Sequence, residues 1–484
     1  MAYNFIPCDR DQPFLMPPSL DDWLPKDHLA RFVVDVVGVL NLSAFYARRR
    51  EDGWGRAAYD PKMMVALLIY AYATGTRSSR GIETRLIEDV AFRFIAANRC
   101  PDHATIARFV KDYEGQLADL FDHVLRLAAE VGLVRVGLVA LDATRIGANA
   151  SLGANRGRDW IRDQVDKIIN EARAADDEQD RRSAPSSGDI PEELVDPGSR
   201  LARLLAAKTQ LEQDAARRQG AYEAKLKARE EHKARTGKAM TGRKPKPPQE
   251  RAKDRERSKL ANTTDPDSRI LASAHDGFLQ GFAGQAIATE DQIVLACAVV
   301  NEATDFGQLK PMVEQARANL EVAGVGQAIA VVAADAGYLS DDNLALESDL
   351  SVELLIATRS HRRTESNPQR PRGRIPKGLT RTQLMERKLR TKRGQRLYRK
   401  RAASIEPVFA QQRQRGMGRF RRRGLKACNC EWRFENAVHN LLKIRTSGKW
   451  PPARARGRSR APAHGEALPQ TQRAPRPFRC RRSR

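Results

Sequence analysis

Three acidic residues stand where a sheet-based protein can work on a phosphate. Asp142 closes the apolar run VGLVALD, Asp335 closes QAIAVVAAD, and Glu406 lies inside the basic segment RKRAASIEPVF. Carboxylates at strand ends and on a nearby helix meet at one rim of a sheet, where α/β proteins commonly build sites. Grouped carboxylates repel one another unless a cation joins them, and hard divalent ions such as Mg²⁺ favour carboxylate oxygen and water. Two such ions about 3.5–4 Å apart can activate an attacking oxygen and stabilise a leaving one during phosphoryl transfer. Spacing alone does not select these three acids. Asp305, Asp341 and Asp342 compete with them, and an Asp that ends a strand is commonly a turn former or a helix cap.

The elements that must position these acids are legible as changes of hydrophobic period. Residues 18–131 read as helices. Asp60-Pro61 gives a cap and a first-turn proline to MMVALLIYAYA, and GIETRLIEDV and VAFRFIAANR follow at short spacing. Asp102 then caps HATIARFVKDY, with Ile106, Phe109 and Val110 on one side and His103, Thr105 and Arg108 available to face outward. Such a capped helix with a polar, basic face fits a helix-turn-helix arrangement, although these residues alone favour an ordinary helical bundle. Residues 136–142 form the first strand. Residues 150–260 form a helical insertion: a helix at 161–174, a loop at 184–199, a long helix at 200–235 and the linker KAMTGRKPKPPQE. Strands at 277–288 and 292–301 make a hairpin through the turn TED. A helix at 307–322, a strand at 327–334, a helix at 341–348 and a strand at 350–358 complete the pattern. The basic stretch 359–400, with Pro368, Pro371 and Pro376, reads as loop-rich, before helices at 403–415 and 434–443. That order predicts a mixed α/β sheet with helices packed on it.

The charge distribution is uneven. Of a formal net +25 on 484 residues, 359–401 carry 17 basic and 2 acidic residues, 402–445 carry 10 and 3, and 446–484 carry 11 and 1. The remainder is slightly acidic, so a basic final quarter on a near-neutral body points to a polyanionic partner such as nucleic acid, or to a solvated tail. No apolar run is long enough to span a membrane. The opening MAYNFIPCDRDQPF lacks the pattern of a secretory signal, and six scattered cysteines are no disulfide framework. Cys428-x-Cys430 lacks the second pair of a metal clip.

Several motifs in order carry a resemblance: DATRIGANAS, TTDPDSRIL…GFLQGFAGQ, ADAGYLS, and a helix with Tyr398, Arg401 and Glu406. Together with YDPKMMVALLIYAYATGTRSSRGIE and PDHATIARF, they make residues 10–445 similar to bacterial insertion-sequence DDE transposases. The insertion-sequence 1182 family is the nearest branch, with relatives in the insertion-sequence 4 and 5 groups. The resemblance implies an α/β ribonuclease H-like catalytic core over 132–150 and 261–445, interrupted by the helical insertion 151–260. An all-α, DNA-binding domain (1–131) would precede it; beyond the resemblance, the composition of 446–484, basic, proline-rich and without an apolar period, predicts a disordered tail. It implies Asp142, Asp335 and Glu406 as catalytic acids and ligands of Mg²⁺ or Mn²⁺, as a pair of ions. Gly337 and Tyr338 fit the family's Asp-x-Gly-Tyr, and Tyr398, Arg401 and Arg413 fit its signature around the third acid. The family's C-terminal helix ends near His439-Asn440-Leu441-Leu442-Lys443. Where the family hairpin carries Tyr-Asn-Ala-Gln, this chain has Phe282-Ala283-Gly284-Gln285, so one polar contact is expected to differ.

The implied partners are the element's terminal inverted repeats, target DNA and further copies of the chain. Tyr398, Arg401, Arg413, His103, Thr105 and Arg108 would contact DNA, and the implied location is the bacterial cytoplasm, on the nucleoid. The other readings are a metal-dependent nuclease that does not integrate and an inactive, DNA-binding repressor. A paired-carboxylate glycosidase gives the basic C-terminal part no role.

Overall fold

Helix caps written into the sequence set the front of the molecule. In the computed structural model, which describes residues 19–47, 58–180, 199–248, 259–273, 277–302, 304–358 and 370–450, this part holds α1 (Leu29–Val39), α2 (Ser43–Tyr46), α3 (Pro61–Ala73), α4 (Ser79–Glu88), α5 (Val90–Ile95), α6 (His103–Asp112) and α7 (Glu114–Glu130). Asp60 accepts the Lys62 amide at 2.9 Å to start α3, and Asp102 accepts that of Thr105 at 2.7 Å to start α6. From Met64 to Tyr72 every residue of α3 is buried, as expected of a helix that is apolar all round.

The central sheet contains β1 (Leu138–Gly147), β4 (Arg269–Ser273), β5 (Gly277–Thr289), β6 (Val294–Val300), β7 (Val331–Ala334) and β8 (Glu353–Ile356); β2 (Asn155–Gly157) and β3 (Leu260–Asn262) form a separate pair. Strand β5 lies antiparallel to β1, and both β4 and β6 pair antiparallel with its far side, at opposite ends. On the other side β7 runs parallel to β1, and β8 parallel to β7. The two halves of the sheet approach closely: a Cβ on Gly281 would stand 2.2 Å from the Ile146 carbonyl oxygen, so only glycine fits there. The front helices and this sheet share one continuous apolar core. Among the described residues no helix is long and apolar enough to cross a membrane.

The insertion has its own small core. Its ingoing and outgoing chains are stitched together by β2 and β3. Helices α8 (Arg158–Asp180) and α9 (Arg200–Thr236) run antiparallel, with Arg200 bonded to Gln164 at 2.9 Å at one end and Arg158 3.6 Å from Glu212 at the other. Ile161, Val165, Leu201, Leu204, Ala207, Leu211 and Ala261 are buried between them. Most of the expected loop 184–199, the end of the linker and nearly all of the expected tail lie outside the described residues. Residues 446–450 are held to the body: Trp450 packs edge-on to Phe32 at 5.8 Å, and Lys449 donates to the Gly132 carbonyl at 2.7 Å.

Three expectations are corrected. Asp142 does not end its strand, because β1 continues to Gly147 along β5 after its parallel partner has stopped at Ala334. The stretch 359–400 is not loop-rich throughout. After α10 (Leu309–Val322) and α11 (Asp341–Asp349) come α12 (Arg381–Arg390) and α13 (Lys392–Gln414), and of the described part only 370–380 is irregular. Thr380 and Thr391 cap these helices, Thr380 through a reciprocal capping box with Gln383, and buried Met385 and Leu389 anchor α12 beneath its charged surface. The last helix, α14, spans Leu425–Thr446 rather than 434–443. It is buried on nearly all sides, and its polar residues bond the sheet, which blurs any helical period. Asn440 bonds both the amide and the carbonyl of Val294 at 2.9 Å, and Asn429 accepts the Val299 amide at 2.9 Å.

Among these groups His439 is fully enclosed. One ring nitrogen lies 2.9 Å from the Gln292 carbonyl, and burial pushes its pKa down to about 3. The unfolded imidazole takes a proton below about 6.5, whereas the folded one stays neutral, so stability falls as pH drops from 6.5 toward 3. His439→Gln, which keeps a donor for Gln292, is expected to remove about 2 kcal/mol of the stability lost between pH 7 and pH 5. Urea midpoints of both proteins at the two pH values measure this; equal losses would refute it.

Candidate active site

The parallel ladder between β1 and β7 ends at Leu141 and Ala334, so the next residues on the two strands are Asp142 and Asp335. Equivalent positions on parallel neighbours point to the same face. The two carboxylates are near enough that the charge on Asp335 adds to the rise of the Asp142 pKa. Burial is the larger cause, Arg401 opposes both, and Asp142 is pushed up to about 6. Asp142 accepts the Ala143 amide at 2.8 Å through one oxygen and Arg401 at 2.7 Å through the other. Asp335 accepts the Gly337 amide at 2.8 Å and so caps the short turn Ala336–Tyr338.

Helix α13 lies over this rim. Its Arg401 donates to Asp142 through one terminal nitrogen and to Glu406 at 3.2 Å through the other. Burial works against the Arg401 charge, but Asp142, Tyr398 and Glu406 outweigh it and keep the guanidinium firmly protonated. Tyr398 lies beneath, its ring centre 5.9 Å from that guanidinium, and burial raises its phenol. Arg413, two turns beyond Glu406, donates to the Thr144 hydroxyl at 2.7 Å. Pro407 deprives α13 of one amide donor. The carbonyl left without it, that of Ala403, is bonded by Gln292 at 3.2 Å.

The fold therefore brings Asp142 and Asp335 together and brings Glu406 to Arg401. Asp142 and Arg401 keep only 19% and 14% of their side-chain surface, whereas Glu406 keeps 60%. Among the described residues no three acidic, histidine or cysteine side chains form a metal-binding group, because the Arg401 fork stands between the first acid and the third.

Asp305, one of the competing acids, also belongs here. It accepts Gln285 at 2.8 Å and Arg145 at 3.4 Å, and Gln285 in turn accepts the hydroxyl of the fully buried Tyr338. A Cβ on Gly337 would come 2.9 Å from an Asp335 oxygen and 3.3 Å from an Asp305 oxygen. Two carboxylates converge on that glycine, which explains the Gly of Asp-x-Gly-Tyr. The departure at 282–285 leaves Gln285 in place, with Trp432 donating to its carbonyl at 3.0 Å, while position 283 is a buried alanine.

Of the front-domain candidates, His103 bonds Glu83 at 2.8 Å and ties α6 to α4; Thr105 is half-buried at the start of α6, and Arg108 is exposed. Cys428 and Cys430 are separate thiols. Sequence reasoning missed the buried pairs of Arg77 with Glu431 and Glu435. No signal near Arg77 points to partners more than 350 residues away.

Comparison with known families adds two separate matches. Residues 18–112 match a family described as "Transposase domain (DUF772)", and residues 368–445 match "Transposase DDE domain". They indicate a transposase of the DDE type. No curated protein and no solved structure matches the chain. The second match contains Tyr398, Arg401, Glu406 and Arg413, whereas Asp142 and Asp335 lie outside both matched stretches. The sheet register sets those two acids side by side, and the bond from Arg401 to Asp142 ties them to the matched helix.

Proposed function

We propose that this chain is the transposase of an insertion sequence, of the 1182 type. It would bind the element's terminal inverted repeats as a homo-oligomer on the bacterial nucleoid and catalyse divalent-metal-dependent cleavage and strand transfer. The observation that carries this reading is the register that sets Asp142 beside Asp335 beneath the helix of Tyr398, Arg401, Glu406 and Arg413. A ribonuclease H-like core is supported by the sheet order, with an antiparallel pair on one side of β1 and a parallel pair on the other. The helical front, with Arg108 exposed on α6, would supply DNA contacts with His103 and Thr105 beside it.

The donor set fits a hard cation. Asp142 is a largely buried carboxylate whose charge Arg401 only partly compensates, and Asp335 adds a second carboxylate at the next position on the neighbouring strand. Asp142 and Asp335 would hold Mg²⁺ or Mn²⁺, in the paired form two ions, with Glu406 joining them when Arg401 releases it. Bound there, the ions supply Lewis-acid stabilisation of charge on the attacking and leaving oxygens. The chain's own part is positioning. Arg401 and Arg413 present planar donors suited to phosphate oxygens, and Tyr398 and Thr144 orient them. The attack is in line, first by water and then by the liberated 3′-hydroxyl.

The test uses the purified chain, Mg²⁺ and a duplex carrying the element's ends together with target DNA. Cutting at the ends and joining to target are expected, and both should stop with EDTA. Binding of ends without cutting would replace this reading with a repressor, and cutting without joining would replace it with a nuclease.

A further inference from the structure

The long helix of the insertion is far longer than its own core requires. Its buried residues end at Leu211, and Arg217 approaches Glu302 at 4.0 Å. From Gln219 to Lys244 every residue is exposed except Tyr222, Leu226, Arg229 and His232, which recur at helical spacing on one face. The chain after the helix folds back along the arm: Arg229 donates to the carbonyls of Met240 at 2.8 Å and Gly242 at 3.1 Å, and Pro245, Pro247 and Pro248 are half-buried. The result is a braced arm. Residues 218–248 carry ten Lys and Arg against three Glu. Cations in the last turn suit a helix C-terminus, but that accounts only for Lys233 and Arg235.

The root of the arm lies at the rim that carries the acids. Strand β6 is antiparallel to β5, as is β1, so the C-terminal ends of β6 and β1 share one side of the sheet. Glu302, which meets Arg217, and Asp305, which meets Arg145 of β1, both follow β6 within a few residues. From Arg218 to Thr236 the helix extends about 28 Å at 1.5 Å per residue. That is close to the roughly 34 Å of one turn of duplex DNA.

We propose that this arm is a second DNA-binding surface, which grips the phosphate backbone of duplex about one turn away from the position held at Asp142 and Asp335. Lys225, Lys227, Lys233, Arg235 and Lys244 are its contacts, and the recognition is of backbone charge rather than base sequence. The location of the gripped duplex rests on the transposase reading; the affinity for duplex does not.

The test compares wild-type protein with a variant carrying Lys225→Gln, Lys227→Gln, Lys233→Gln, Arg235→Gln and Lys244→Gln. All five positions are exposed, and Gln preserves helix propensity at the four that lie on the helix. Binding is measured by fluorescence anisotropy in EDTA across a salt series, on an end-bearing duplex that stops within about 5 bp of the cut and on one that continues for about two turns of 10 bp. Each lost phosphate contact lowers the steepness of log affinity against log salt by about 0.9, so a drop of about 4–5 is expected on the long duplex and under 1 on the short one. Equal slopes for both proteins on the long duplex, or an equal drop on both duplexes, would overturn the proposal. So would a variant that binds DNA unchanged but loses self-association in sedimentation, which would make the arm a contact between copies. Cleavage assayed separately in Mg²⁺ keeps the two readings apart. Wild-type protein that never cuts yet shows the slope difference sinks the transposase and leaves the arm, and the converse result sinks only the arm.

Discussion

Asp142→Asn is expected to bind end-bearing DNA as the wild type does and to cut it at least about a hundredfold more slowly. An ion at a phosphoryl-transfer site supplies several kcal/mol of charge stabilisation, and each 1.36 kcal/mol is about tenfold in rate. The amide keeps the size of the side chain and one oxygen, which can accept from Arg401 or from the Ala143 amide but not from both, and it removes the negative charge that a hard cation requires. Folding should not suffer. Burial has already pushed the Asp142 carboxyl up to about 6, so at neutral pH its charge is a cost to the folded state that asparagine relieves. The relieved charge and the lost bond offset each other, so the variant is expected to melt at about the temperature of the wild type, a separation of activity from stability typical of functional residues. Mg²⁺-dependent nicking and thermal unfolding, measured on the same preparation, decide the matter. Wild-type cleavage by Asp142→Asn would remove this acid from the mechanism.

Arg77→Met is expected to cost about 3–5 kcal/mol, because it leaves buried carboxylates without their cation. Arg77 is 1% exposed and donates to Glu431, 2% exposed, at 2.9 Å and to Glu435, which is fully buried. Its guanidinium also lies 4.3 Å from the centre of the Tyr72 ring. Arg415 remains on Glu435 at 3.0 Å, and the amides of Arg421 and Arg422 remain on Glu431. Neither replaces the lost charge in full. Adding Glu431→Gln and Glu435→Gln to Arg77→Met should recover a large part of the loss, since the penalty comes from the unpaired charge more than from the missing contact. Urea denaturation of the two variants measures both effects. A loss under about 1 kcal/mol for Arg77→Met would class the cluster with weak, solvent-screened pairs. The cluster lies at the join between front and core. Trp432, next to Glu431 on α14, donates to the Gln285 carbonyl, so loosening this join would also disturb the residues behind Asp305 and Tyr338.

How much of this could be read in advance depended on the range of each signal. Caps and periods act within a turn or two, so Asp60, Asp102 and the long helix at 200–235 were legible from neighbours alone. So was most of the order of the core elements, although β4 and the short pair β2–β3, which carry weak apolar periods, were not. The helices within 359–400 were obscured because charge density hid the apolar anchors Met385 and Leu389. The last helix was obscured because a helix buried on most sides, with asparagines bonding a sheet edge, has no polar face to give it a period.

What the chain's order alone determined is which groups are present and which elements carry them. Which of them meet was decided only by the tertiary structure. Asp142 lies beside Asp335 through a strand register between segments nearly 200 residues apart, and Asp305 joins Asp335 at Gly337. Glu406 and Arg401 share a helix, but only the placement of α13 over β1 puts Arg401 between Glu406 and Asp142. Long-range register and the packing of a helix on a sheet follow from burying the whole core at once, and no local stretch of sequence records that outcome.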